Sequence, residues 1–122
     1  DRAEACVRQL GDPRAAAGTL DDLAGADGLI HATPTGMEGH PGLPLDDDRL
    51  HPGLWVAEVV YRPLETQLLR RARELGCRTL DGGGMAVFQA ADAFALFTGV
   101  EPDRERMLRH FAELVDAPVS TP

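Results

Sequence analysis

Apolar and polar positions change period several times along the chain, and each change marks an element. Ala3, Cys6, Val7 and Leu10 recur at helical spacing until Gly11-Asp12-Pro13 stops the run. Residues 14–18 are short and small-sided, which predicts at most a short strand. Thr19 then reads as the cap of a brief helix through Leu23, with Asp21 and Asp22 favourably placed in its first turn. Gly28-Leu29-Ile30-His31-Ala32-Thr33 is a compact apolar run ended by Pro34 and Gly36, the pattern of a buried strand that opens into a loop. Residues 34–52 are dense in Gly and Pro and carry Asp46-Asp47-Asp48, which predicts a long loop forming the rim of a site. Trp55-Val56-Ala57-Glu58-Val59-Val60 has the β-branched content of a strand, and Tyr61-Arg62-Pro63 ends it. Residues 66–75 place Leu68, Leu69, Ala72 and Leu75 on one helical stripe, with Gly76 just past the end. Cys77-Arg78-Thr79-Leu80 is a further short strand leading to Asp81-Gly82-Gly83-Gly84. Helices are predicted over 84–98, closed by Gly99, and over 103–116, where Met107, Leu108, Phe111, Leu114 and Val115 form a stripe before Pro118. Alternating strands and helices of this kind define an α/β chain with a parallel sheet, whose ligands bind at the carboxyl ends of the strands.

From Met85 to Phe97 nearly every position is apolar, which predicts a helix buried on all sides, with Gln89 and Asp92 as its polar members. Met85, Gln89 and Asp92 share a face. A buried amide at Gln89 needs a hydrogen-bonding partner, either a neighbouring carbonyl or a ligand hydroxyl. The three glycines before the helix allow close backbone approach and lead into helical N–H groups without intrahelical partners, a place to hold a ligand as well as to make a turn.

At 122 residues with 43% apolar content, the chain is sized for one core. A net charge of −8 and the lack of any basic cluster with aromatic neighbours argue against nucleic acid and anionic membrane as partners. Cys6 and Cys77 form no Cys-x-x-Cys pattern, and neither a signal-like start nor a membrane-length apolar run is present, which fits a reduced cytoplasm. All 12 basic residues are arginine, so these residues supply no lysine general base, Schiff base or phosphate-loop lysine. Gly36, Gly39 and Gly42 have the wrong spacing for a phosphate loop, and Pro41 interrupts them. His40, His51 and His110 lack metal-ligand spacing, which argues against zinc.

The three strand ends carry a resemblance. His31-Ala32-Thr33-Pro34-Thr35-Gly36-Met37, then Glu58-Val59-Val60-Tyr61-Arg62-Pro63-Leu64-Glu65-Thr66, then Asp81-Gly82-Gly83-Gly84-Met85 with Gln89-Ala90-Ala91-Asp92, resemble the cofactor domain of the shikimate dehydrogenase family in order and spacing. The His40-Pro41-Gly42 loop and Leu96-Phe97-Thr98-Gly99 look most like its actinobacterial shikimate/quinate branch. The resemblance implies a Rossmann-like fold and hydride transfer between NADP or NAD and shikimate, possible quinate use included, in a cytoplasmic enzyme that is a monomer or homodimer at full length. It makes Thr33 part of the loop passing the cofactor, gives Val59 and Gly82 backbone contacts to the nicotinamide end, packs Met85 on that ring, and has Tyr61 and Gln89 hydrogen-bond the substrate. Each of these residues also has an ordinary structural reading, and only their joint spacing favours the functional one.

Two positions depart from the resemblance: His31 stands where asparagine is usual and Glu58 where aspartate is. The resemblance also implies parts that these residues lack, namely an N-terminal substrate domain with a catalytic lysine and aspartate and the glycine-rich turn that opens the cofactor domain. The expected fold is therefore an incomplete Rossmann-like sheet in which residues 1–122 are the C-terminal part of the dinucleotide-binding domain, with no catalytic residue of its own. In the order 3-2-1-4-5-6, the first two strands would lie between residues 14–18 and residues 28–33. The alternative is a non-catalytic module that binds a nucleotide or a partner. NADP against NAD, shikimate against quinate, and oligomeric state stay open at this stage.

Overall fold

A computed structural model describes residues 1–116. The helices are α1 (Arg2–Leu10), α2 (Gln67–Glu74), α3 (Gly83–Thr98) and α4 (Arg104–Asp116), and the strands are β1 (Gly28–His31), β2 (Trp55–Glu58) and β3 (Arg78–Leu80). Short 3-10 turns occupy Leu20–Gly25 and Asp47–Arg49. The stop signal at Pro118 lies outside the described residues.

The three strands form one parallel sheet in the order β1-β2-β3. Register aligns Leu29 with Val56 and Val56 with Thr79, and sets His31 level with Glu58 at the carboxyl edge. This order and direction is the second half of a doubly wound sheet, as the sequence predicts. One face is covered. Leu68, Leu69 and Ala72 of α2 bury against Val56, with Leu23, Leu45, Leu50, Leu54 and Cys77 completing the core. Burial of a leucine stabilises by about 1.5–3 kcal/mol, so this cluster is the main source of cohesion. Thr66 starts α2 by accepting a hydrogen bond from the Leu69 N–H at 3.3 Å, one of the donors a helix start leaves unpaired.

Two expectations are overturned. Residues 14–18 form no strand. The Asp12 carboxylate accepts from the Arg14 N–H at 2.9 Å and pairs with its guanidinium, while the Ala15 N–H turns back to the Asp12 carbonyl. That local turn pairs the Arg14 and Ala15 N–H groups, and the alanines that follow have too little side chain to anchor a strand. The second correction concerns α3, which is apolar all round but is not enclosed. Only Gly83, Val87 and Ala91 are buried, Gln89 is exposed rather than a buried amide, and Leu96 and Phe97 are 81% and 85% exposed. Within the described residues α3 packs chiefly on α4, joined by Asp92–Arg104 at 2.7 Å. The opposite sheet face also leaves Ile30 and Leu80 exposed. An apolar surface this extensive is a contact surface by its chemistry.

Cysteine reactivity follows from the packing. The Cys77 thiol is buried, donates to the His51 carbonyl at 3.3 Å, and is pushed up in pKa by burial, whereas Cys6 is exposed. Thiolate is the reactive form, so Cys77 needs a higher pH as well as access. Thiol titration should show Cys6 reacting at least ~10-fold faster, with Cys77 released only by denaturant. Equal rates would contradict this placement.

Candidate functional site

Because the strands are parallel, their carboxyl ends open on one edge. The ladder continues one step beyond β2, where the Val59 N–H donates to the His31 carbonyl at 3.0 Å. Gly82 sits against this edge so closely that a Cβ there would stand 2.7 Å from the Val59 carbonyl oxygen and 2.8 Å from that of Val60. Only glycine permits the approach. Asp81 then accepts from the Gly83 N–H at 2.9 Å, turning the chain into α3. Val59 and Gly82 are thus in contact, as two neighbouring strand ends require.

Tyr61 follows β2 and is exposed beside a cleft of about 860 Å³ whose walls include Glu38, Arg62, Leu64, Asp81 and Phe111. The cleft joins two of the three strand ends, those of β2 and β3. Thr33, Val59, Gly82, Met85 and Gln89 are not among its lining residues. Met85 and Gln89 lie one turn apart on α3, both exposed, and Gln89 does not share that cleft with Tyr61. The loop over residues 34–52 does reach the strand end: Glu38 pairs with Arg62 at 3.0 Å, and its N–H donates to the Arg62 carbonyl at 3.0 Å. The predicted long loop thus packs on the carboxyl end of β2. Among the described residues no cluster of three metal-ligating side chains occurs, and no helix is long and apolar enough to cross a membrane.

The sequence reading missed what lies beneath this edge. His31, Glu58 and Thr66 are 4%, 3% and 1% exposed, and they form one polar network inside the core. Glu58 Oε1 is 2.8 Å from His31 Nδ1 and accepts from the Val60 N–H at 3.0 Å, while Oε2 accepts from the Thr66 hydroxyl at 3.0 Å. His31 Nε2 meets the Thr33 hydroxyl at 2.5 Å. Burying these groups is tolerable because every one is partnered. A signal was present: the two departures from the resemblance, His31 and Glu58, fall at equivalent ends of adjacent strands, where one longer side chain can answer the other.

A parallel sheet with flanking helices, its carboxyl edge bounded by a glycine turn and a helix start, is Rossmann-like, and sheets of this kind take their ligands at that edge. The chain matches the family described as Shikimate 5'-dehydrogenase C-terminal domain over residues 82–110. It is 68% identical over 116 residues to a shikimate dehydrogenase (NADP(+)) of Streptomyces avermitilis, covering 92% of this chain and 40% of that protein. A quinate/shikimate dehydrogenase (NAD(+)) of Corynebacterium efficiens is 58% identical over 99 residues, 81% of this chain and 35% of that one. Among solved structures, quinate dehydrogenase from Corynebacterium glutamicum in complex with NAD superposes with TM-score 0.78 at 47% identity, covering 91% of this chain and 41% of that one. Shikimate 5-dehydrogenase from Thermus thermophilus with NADP(H) and shikimate gives 0.80 at 32% identity, covering 92% and 42%. The chain belongs to the shikimate dehydrogenase family and corresponds to its C-terminal portion. It spans well under half the length of the curated relatives it matches.

Proposed function

We propose that this chain forms the nicotinamide side of a cytoplasmic dehydrogenase that moves a hydride between NADP or NAD and shikimate, with quinate as a second substrate. The observation that carries the reading is the contact of Gly82 with the Val59 and Val60 carbonyls. It brings two strand ends and the start of α3 to one edge, and relatives with this fold are named as NADP- and NAD-dependent dehydrogenases.

The residues present suit a nicotinamide nucleotide. Among the described residues, and apart from the α3 backbone itself, a Cβ at Gly84 would meet only the Phe88 ring, at 3.9 Å, so the first turn of α3 has open space beside it for a ligand. Met85 is exposed next to that turn and offers a polarisable thioether to a flat ring. When bound, the nucleotide supplies the hydride chemistry. In this reading Val59 and Gly82 hold its nicotinamide end through backbone groups, and Thr33 lines its path. Tyr61 and Gln89 hydrogen-bond the substrate, fixing its ring so that the hydroxyl-bearing carbon faces the nicotinamide. Positioning of this kind is the protein's share of the catalysis.

The test is NADP or NAD reduction by the full-length polypeptide that contains this chain, with shikimate and with quinate. Activity with at least one acid is expected, and none with either would overturn the reading in favour of a non-catalytic module. Tyr61→Phe should lower kcat/KM for the acid by about 5- to 30-fold, the effect of leaving one substrate hydroxyl unpaired. The isolated 122-residue chain should show no turnover, since it lacks lysine altogether.

A further inference from the structure

The buried network has a surface end. Its hydrogens can be placed in order, starting at α2. The Leu69 N–H donates to the Thr66 oxygen, so the Thr66 hydroxyl hydrogen is free to point at Glu58 Oε2. The Val60 N–H donates to Oε1. With both carboxylate oxygens accepting, the His31 nitrogen facing Oε1, Nδ1, carries a hydrogen. In the neutral ring Nε2 is then the acceptor for the Thr33 hydroxyl. The Thr35 N–H lies 3.4 Å from the same Thr33 oxygen, and Thr33 is exposed at the carboxyl edge.

We propose that His31 and Glu58 are a positioning pair that sets the polarity of the Thr33 hydroxyl. Its hydrogen is committed to His31, so it faces the edge as an acceptor only and selects an N–H or O–H donor on the bound nucleotide. The inference rests on the nucleotide reading above and adds to it a role for two residues that touch no ligand. Glu58 acts through His31, and His31 through Thr33. A structural role alone requires only that the core be filled and its polar atoms paired. A positioning role also requires that the effects of His31 on ligand affinity pass through Thr33.

The experiment uses the full-length polypeptide and the nucleotide, NADP or NAD, that the wild type turns over. Thr33→Val should weaken nucleotide binding by about 5- to 20-fold with kcat changed less than about threefold, and Thr33→Ser should restore the affinity. His31→Gln should weaken binding similarly, yet add less than about twofold when placed on Thr33→Val, because the two share one path. Additive losses, or a silent Thr33→Val, would overturn the proposal. Should His31→Gln not fold, ¹⁵N NMR of the wild-type imidazole decides the same point. A hydrogen on Nδ1 alone is expected, whereas one on Nε2 would make Thr33 an acceptor from His31 and reverse its polarity. If the wild type binds no nucleotide, the functional reading fails and the Thr33 role with it, while the ¹⁵N result still reports whether the network itself is as described.

Discussion

Replacing Glu58 with alanine is expected to destabilise the full-length polypeptide by about 3–5 kcal/mol, the largest effect of any single substitution considered. Three donors lose their acceptor at once: the Val60 N–H, the Thr66 hydroxyl and His31 Nδ1. All are inside the core, so water cannot replace the carboxylate without opening it. The loss also spreads along the chain, since Thr66 starts α2 and α2 supplies Leu68, Leu69 and Ala72 to the core. Glu58→Gln should cost less, because an amide keeps one acceptor, but it should not be neutral: with its NH₂ facing Thr66, the Thr66 hydroxyl hydrogen loses its acceptor. Urea unfolding gives the comparison directly, as a shift in midpoint at constant slope. A change below about 1 kcal/mol for Glu58→Ala would show that the network is solvated and not buried.

Gly82→Ala is the second large effect, and it acts on packing and on binding together. The backbone there has φ −80° and ψ −2°, which alanine adopts without strain. The damage is therefore purely steric. A Cβ placed 2.7 Å and 2.8 Å from two carbonyl oxygens must push the α3 start away from the β2 end, because backbone atoms cannot rotate aside. Overpacking of this kind costs about 1–3 kcal/mol. Nucleotide affinity should fall at least ~10-fold, since a displacement of an ångström misplaces the groups that hold the ring. Gly28→Ala is the matched control. Its Cβ would collide with the body of the Trp55 indole, which is 37% exposed, so the substitution carries a packing cost of its own. Its effect on binding should be absent, because residue 28 lies at the amino end of β1, away from the site.

The strands and helix starts were legible in the chain because they are encoded locally. A compact apolar run marks β1 and a β-branched one marks β2, and Thr19 and Thr66 cap the elements that the sequence assigns to them. The contact between Val59 and Gly82 was foreseeable at the level of topology, given parallel strands in sequence order. Two things were not legible, for different reasons. The apolar surface of α3 shows that the helix needs cover, but not whether the covering residues lie in the same 116 positions, and Leu96 and Phe97 show that they do not. The pairing of His31 with Glu58 depends on cross-strand register, which no local pattern specifies. Residues 14–18 illustrate the reverse case, where a short-range hydrogen bond from the Arg14 N–H to the Asp12 carboxylate overrides a marginal strand preference.

Bound-state NMR on the full-length polypeptide, with labelled Met, Val, Leu and Ala methyl groups and saturating nucleotide, tests most directly whether the carboxyl edge of this sheet holds a nicotinamide ring. Nuclear Overhauser effects from the ring protons to the Met85 methyl and to Val59 are the expected result. Binding that leaves both residues unperturbed, or that shifts only the groove near Leu20 and Ala24 at the opposite end of the sheet, would contradict the assignment of the site.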